Sequence, residues 1–397
     1  MLYLDHAATS PVRPEVLEAM RPYLTDVFGN PSSHHTAGEA ASHALEDARA
    51  RVAAALGMRA GDVIFTSGGT EANNLAVKGI VLGAQQTSPS RRHLITTPIE
   101  HESVLESASY LQRLHGVEVT KLPVDAQGVI NPETVAAALR DDTALVSFAH
   151  ANNEIGTVQD VAALAAVARE RRVPVHVDAV QSAGWLDLRP LGRDARVDAI
   201  SIAGHKLGAP KGTGALAVRS RVPLEPLLHG GGQERGRRSG TENVAGAVAL
   251  ATAIALAETE RERTVEQVAE ATSRFIAGVL ASVPQARLTG HPTRRLPATA
   301  GFTFAGTSGE AVLLELERRG VITSSGSACA AGSDEPSHVL VACGVEDAVA
   351  QTAVRFTFDR APLPADAPER LAGLLAEAVA AVAESTLREP GDHRISP

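Results

Sequence analysis

The stretch SIAGHKLGAPKGTGAL holds the most reactive candidate in the chain, Lys206. A short apolar run leads into it, and a turn rich in glycine and proline follows. α/β proteins place ligands just beyond the ends of buried strands. A lysine there can form a Schiff base when partial burial and nearby cations keep its amine nucleophilic. A solvated loop lysine is the competing reading, which the glycines and His205 weaken. In VHVDAVQSAG, Asp178 closes a run in which Val173, Val175 and Val177 alternate, and Gln181 stands three residues on. A carboxylate at a strand end can keep a pyridinium nitrogen charged, which makes a pyridoxal ring an electron sink. An Asp that caps a helix suits the same place.

Other loops repeat the arrangement. IFTSGGTEANNLA runs from a strand through Gly68, Gly69 and Thr70 into a helix. Glycines let the backbone approach a phosphate, and the helix start supplies N–H groups and a partial positive charge. Simple capping by Ser67 or Thr70 is the alternative, and the missing Gly-Lys-Ser/Thr argues against a nucleoside triphosphate. TTPIEHESV sets His101 after a strand and at a helix start, and SFAHANNEIG sets Asn152 beyond another strand end. HGGGQERGRRSGTENVAG joins clustered glycines, three arginines and Thr241 ahead of a helix, which reads as an anion-binding segment or as a solvated loop. Gly212-x-Gly214-x-x-Ala217 matches a dinucleotide fingerprint in spacing only, because it enters a strand instead of opening a helix. Of two cysteines, Cys343 in HVLVACGV reads as packing. Cys329 stands among small residues in SSGSACAAGS, which suits an exposed loop and a reactive thiol. Neither zinc-type spacing nor a metal site is expected.

The elements that must carry these residues follow from short β-branched runs separated by helical ones. Strands are expected over 63–66, 93–97, 144–148, 173–177, 199–202 and 214–218. Helices are expected over 14–23, 36–56, 71–82, 102–114, 132–139 and 161–171. This alternation implies an α/β architecture with a mainly parallel sheet covered on both faces. The candidate loops all follow strands of that sheet, so parallel strands would bring them to one crevice. Near 240–246 the rhythm changes to a long helix over 244–279. Shorter strands (300–304, 321–323, 353–357) and helices (310–319, 366–384) then make a smaller α+β domain, and the last nine residues, EPGDHRISP, read as a loose tail.

Composition sets outer limits. The chain has 397 residues, 37 basic and 46 acidic, for a net charge of −9, which argues against general binding to nucleic acid or anionic membrane. Hydrophobic residues make up 44% but aromatics only 3%, so Ala, Val and Leu must do most of the packing. Two cysteines exclude a disulfide framework. No apolar run is long enough for a membrane span, and the first residues lack the pattern of a secretion signal, so the expected location is cytoplasmic.

Taken in order, FGNPSS, FTSGGTEANNLA, EHESV, NNEIG, HVDAVQ, GHKLGAPKG, HGGGQERGRRSGT and SSGSAC resemble the pyridoxal-phosphate-dependent cysteine desulfurases of the nitrogen-fixation and iron–sulfur-cluster type, within the class-V aminotransferase superfamily. The likeness runs from YLDHAAT to VRFTFDR. It implies the fold-type I architecture, with a large cofactor domain over 15–258 and a smaller α+β domain from 1–14 and 259–397. It also implies pyridoxal 5'-phosphate as cofactor, with Lys206 as its Schiff-base lysine. Asp178 would hold the ring nitrogen, and His101 would stack on the ring and share in proton transfer. Gln181 and Asn152 would contact the phenolic oxygen, and Gly69, Thr70 and His205 would bind the phosphate. Thr241 would reach the neighbouring subunit's cofactor. Arg355, with Asn152, would hold the substrate carboxylate, Asn30 would lie in the substrate loop, and Cys329 would be the nucleophile.

The implied reaction converts L-cysteine to L-alanine and passes sulfur, as a Cys329 persulfide, to an acceptor protein such as an iron–sulfur scaffold or a thiolation relay. The implied assembly is a homodimer with shared active sites, with no direct nucleic-acid or membrane partner. The alternatives are a selenocysteine lyase or another fold-type I enzyme such as an aminotransferase, which has no use for a loop cysteine. One departure stands out: Ala203 replaces the serine of many relatives, removing one phosphate bond and implying at most weaker cofactor retention, not a different reaction.

Overall fold

A computed structural model describes residues 1–326 and 335–387. Twelve strands are present among these residues: β1 (Leu2–Tyr3), β2 (Val63–Thr66), β3 (His93–Thr96), β4 (Glu118–Lys121), β5 (Thr143–Ala149), β6 (Val175–Asp178), β7 (Ala199–Ala203), β8 (Gly214–Val218), β9 (Ala286–Leu288), β10 (Thr299–Phe304), β11 (Val321–Ile322) and β12 (Val354–Thr357). The chain divides into two compact units. The larger takes Ala7–Asn153 and Thr157–Arg263, and the smaller takes Met1–His6, Glu154–Gly156 and the chain from Thr264.

The larger unit is built on a seven-stranded sheet in the order β2-β8-β7-β6-β5-β3-β4. Pairing is parallel from β7 to β4, and β8 runs antiparallel to both β7 and β2. Because β8 is reversed between them, β2 and β7 point the same way, and the C-terminal ends of β2, β7, β6, β5 and β3 leave one edge. Successive residues on a strand point to opposite faces, and both faces are apolar here. Ile200, Ile202, Val175 and Val177 pack on one side with Leu45, Val52 and Leu250. Ala199, Leu216, Leu145 and Leu94 pack on the other with Leu75, Ile80 and Leu111. Hence several of these runs read as nearly continuous apolar strands, whereas β6 alternates because its other face carries His176 between Ser147 and Ser201.

Three local features of the larger unit differ from the sequence expectation. The helix expected over 14–23 divides into Pro14–Met20 and Pro22–Thr25, because proline at 22 has no N–H to continue the ladder. The strand β4, EVTK, is an additional edge strand with exposed ends. The helix expected from residue 71 starts at Gly69 and runs to Thr87 through a wide π-type turn at Leu75–Gly79.

In the smaller unit, β12-β10-β9 form an antiparallel sheet and β1 pairs with β11. Five of the chain's eight phenylalanines gather here: Phe275 meets Phe302, Phe356 and Phe358 edge-on at ring distances of 5.0–5.8 Å, and Phe304 lies against Phe302. Such edge-to-face pairs add to what area burial supplies. The larger unit holds the single tryptophan, Trp185. Among the described residues no helix is long and apolar enough to cross a membrane. The expected tail, 389–397, lies outside the described residues.

Candidate active site

The strand ends of the larger sheet carry most of the predicted residues of that unit, whereas Asn30 and Thr241 lie in loops that precede helices. Asp178 is the last residue of β6 and is buried. Its Oδ1 accepts the Val180 N–H at 2.9 Å and its Oδ2 accepts from Asn73 Nδ2 at 2.7 Å. On the adjacent strand, β7 passes directly into the short turn Gly204–Lys206, which places Lys206, half-buried, at the same edge. The turn demands glycine at 204, since a Cβ there would sit 2.1 Å from Thr213 Oγ1. His205 Nδ1 is 3.2 Å from Thr9 Oγ1. Burial, reinforced by Lys206 and Lys211, pushes this imidazole down to about 4, so His205 is neutral near pH 7.

Beyond β2, the turn at Gly68–Gly69 lies tight against these two strand ends. A Cβ on Gly69 would come within 2.9 Å of Val180 and 3.3 Å of Ala203. Ala203 thus puts its methyl group against the glycine turn, where a serine would put a hydroxyl. Glu71 ties the turn down: it accepts the Ser67 N–H at 2.8 Å and the Arg238 Nε–H at 2.9 Å. Burial opposes its charge, but those partners prevail and hold its carboxyl below the usual range. Thr70 is exposed.

His101, beyond β3, caps the helix Glu102–His115, its Nδ1 accepting the Ser103 N–H at 3.0 Å. Asn152, beyond β5, is buried and donates to the Ile99 carbonyl at 2.7 Å. Gln181 donates to the Ala7 carbonyl at 3.1 Å. Asn30 is exposed and accepts the Ser32 N–H at 2.9 Å in a tight turn.

The loop carrying Thr241 is anchored rather than loose. Glu234 and Arg235 both hold left-handed backbone angles (φ 49° and 59°), a strained pair for residues with side chains. Buried Arg49 holds Glu234 at 2.6 Å, and both side chains are at most 3% exposed. The three arginines of this segment all bond the protein's own groups: Arg235 reaches Glu46, Arg237 the Val218 carbonyl and Arg238 Glu71. Thr241 is exposed.

In the smaller unit, Arg355 of β12 is 3% exposed, pairs with Asp5 at 2.7 Å and donates to the Gly326 carbonyl at 3.1 Å. Cys343 is buried at the end of the helix His338–Ala342, as a packing cysteine should be. Cys329 lies outside the described residues.

Sequence reasoning missed three buried polar residues at this sheet edge. Asn73 and Ser103 stand beside Asp178 and His101. Glu100, immediately before His101, is 1% exposed and accepts from Thr97 Oγ1 at 2.5 Å. Burial, with the charge of Asp178 adding to it, pushes its carboxyl up to about 8, so it carries a proton at neutral pH. The available signal was position alone: each stands within two residues of a strand-end candidate or on the helix after the glycine turn.

Comparison with known proteins identifies the family. Residues 2–363 match the aminotransferase class-V profile. The chain belongs to the class-V aminotransferase family. Within it, the chain is 45% identical over 357 residues to the cysteine desulfurase IscS of Dictyoglomus turgidum, covering 90% of this chain and 89% of that one. It is 43% identical to the IscS-like cysteine desulfurase of Mycobacterium tuberculosis over 99% of this chain and 100% of that one. A solved NifS-like protein superposes with a TM-score of 0.87 at 34% identity, covering 96% and 99% of the two chains. Family members of this kind use pyridoxal phosphate, and the site fits that group. Asp178 is a buried acceptor that a pyridinium N–H could meet, Lys206 stands at the adjacent strand end, and Gly69 leaves backbone where a side chain would intrude.

Proposed function

We propose that this chain is a cysteine desulfurase that takes sulfur from L-cysteine, releases L-alanine and carries the sulfur on Cys329 to an acceptor protein. The observation that supports this reading most is the pairing of strand ends: Asp178 is held by two N–H donors on β6 while Lys206 follows the neighbouring β7. Pyridoxal phosphate bound to Lys206 would supply an electron sink for the pair released at the substrate's α-carbon.

The protein's residues then divide the remaining work. The carboxylate of Asp178 would keep the ring nitrogen charged, and His101 would stack on the ring and share in proton transfer. Gln181 and Asn152 would contact the phenolic oxygen. Gly69, Thr70 and His205 would take the phosphate, with neutral His205 as a hydrogen-bond donor. Lys206 removes the α-proton. Arg355 and Asn152 take the substrate carboxylate, with Asn30 in the substrate loop. The Cys329 thiolate attacks the substrate sulfur: an S–S bond forms, the C–S bond breaks, and its electron pair leaves with carbon, which gains a proton to become the methyl group of alanine.

The proposed assembly is a cytoplasmic homodimer in which Thr241 serves the neighbouring subunit's cofactor. Its acceptor is an iron–sulfur scaffold or a thiolation relay. The test is turnover of L-cysteine with alanine and sulfide both quantified, run beside selenocysteine. Cys329→Ser should keep the cofactor absorbance and lose both products. A Cys329→Ser protein that turns over cysteine at the wild-type rate would sink the assignment, and a strong preference for selenocysteine would make the chain a lyase for that substrate.

A further inference from the structure

Asn73 uses both protons of its side-chain amide at the sheet edge. Nδ2 is 2.7 Å from Asp178 Oδ2 and 2.9 Å from Ser103 Oγ, and Ser103 Oγ is 2.9 Å from His101 Nδ1. Asn73, Ser103 and Asp178 are 2%, 6% and 7% exposed, so water does not substitute freely for these bonds. No hydrogen-bond donor among the described residues reaches the buried Asn73 Oδ1.

The directions of these bonds follow from chemistry. An ionised carboxylate only accepts, so the atom facing Asp178 Oδ2 must be the amide nitrogen. Its second proton then points at Ser103 Oγ, which accepts it and keeps its own proton available for His101 Nδ1. The Ser103 backbone N–H also points at that nitrogen, at 3.0 Å. Nδ1 thus accepts, and the proton of the neutral imidazole must sit on Nε2.

We propose that Asn73 is a positioning residue that locks the Asp178 carboxylate and, through Ser103, the ring and tautomer of His101 as one unit. His101 then begins with its proton on Nε2, so in any transfer through that nitrogen it first acts as an acid. This proposal rests on the reading of Asp178 and His101 given above, and the experiment separates the two.

Nitrogen NMR of histidine-labelled holoenzyme, with His101 assigned by comparison with His101→Gln, should show an unprotonated Nδ1 and a protonated Nε2 at neutral pH. The opposite tautomer overturns the proposal without any Asn73 variant having to fold. Asn73→Ala should weaken the apoprotein's affinity for pyridoxal phosphate by about tenfold or more, since it removes a bond to a charged group, and should move the His101 signals. Ser103→Ala should move the His101 signals and leave affinity within about twofold, because the bond from Asn73 to Asp178 remains. An Asn73→Ala protein with a lower melting temperature but wild-type affinity and unmoved His101 signals would make Asn73 a packing residue and refute the proposal. Asp178→Asn is the control: wild-type cofactor affinity there would refute the Asp178 reading, whatever the tautomer measurement gives.

Discussion

His176 lies at the centre of the larger sheet, on β6 and two residues before Asp178, with both ring nitrogens engaged. Nδ1 is 2.8 Å from Ser147 Oγ on β5, and Nε2 is 2.8 Å from Ser201 Oγ on β7. It is fully buried, and that burial pushes the imidazole from 6.5 down to about 4, with Asp178 opposing the shift in part. The folded protein therefore disfavours a proton that the unfolded chain takes up readily. The stability held by the neutral ring is complete above about pH 6.5 and is lost as pH falls toward 4. At pH 4 the gap is worth on the order of 3 kcal/mol. Replacing the ring with a side chain that does not titrate, His176→Gln, should remove this component. The assay is urea unfolding of both proteins at pH 7 and pH 4, followed by circular dichroism. The variant carries its own fixed cost for the lost ring, but that cost cancels when each protein's acid loss is compared. The acid loss of His176→Gln should be smaller than that of the wild type by about 3 kcal/mol. Equal acid losses within about 0.5 kcal/mol would refute the reasoning.

Three further outcomes are expected. Ala203→Ser should restore a hydroxyl beside Gly69 and slow cofactor loss on dialysis by about tenfold or more, given that a bond to a charged group is worth roughly 1.5–3 kcal/mol. Lys206→Ala should lose the borohydride-stable attachment of pyridoxal phosphate, read as the absence of the added mass on the intact chain. Arg49→Met leaves Glu234 buried without its cation and should destabilise by roughly 3–5 kcal/mol in urea unfolding. Adding Glu234→Met should recover much of that loss, and a double variant no more stable than the single one would count against the pair as its cause.

The larger sheet was legible because strands buried on both faces leave short, β-branched runs that no surface helix would carry. β4 left no such mark: EVTK is an edge strand whose exposed ends suit charge, so its sequence resembles a loop. The reversed direction of β8 follows from its pairing with β2 and β7, which its own five residues do not encode. At the site, Asp178, His101 and Lys206 announced themselves by standing where apolar runs stop. Asn73 and Ser103 did not, because a polar residue on a helix reads as solvent-facing until the sheet edge that covers it is known. Glu100 was hidden by its charge, which argues for the surface, whereas burial here holds the proton on.

The uneven distribution of aromatic residues makes the chain its own optical reporter. Trp185 belongs to the larger unit, while the smaller packs around phenylalanines that emit almost nothing beside an indole. Emission excited at the red edge of the tryptophan band therefore records melting of the larger unit alone, whereas circular dichroism records both. Where the two curves separate, the units unfold in turn; where they coincide, they unfold as one. No added label is needed to learn whether the unit bearing Lys206 outlasts the one bearing Arg355.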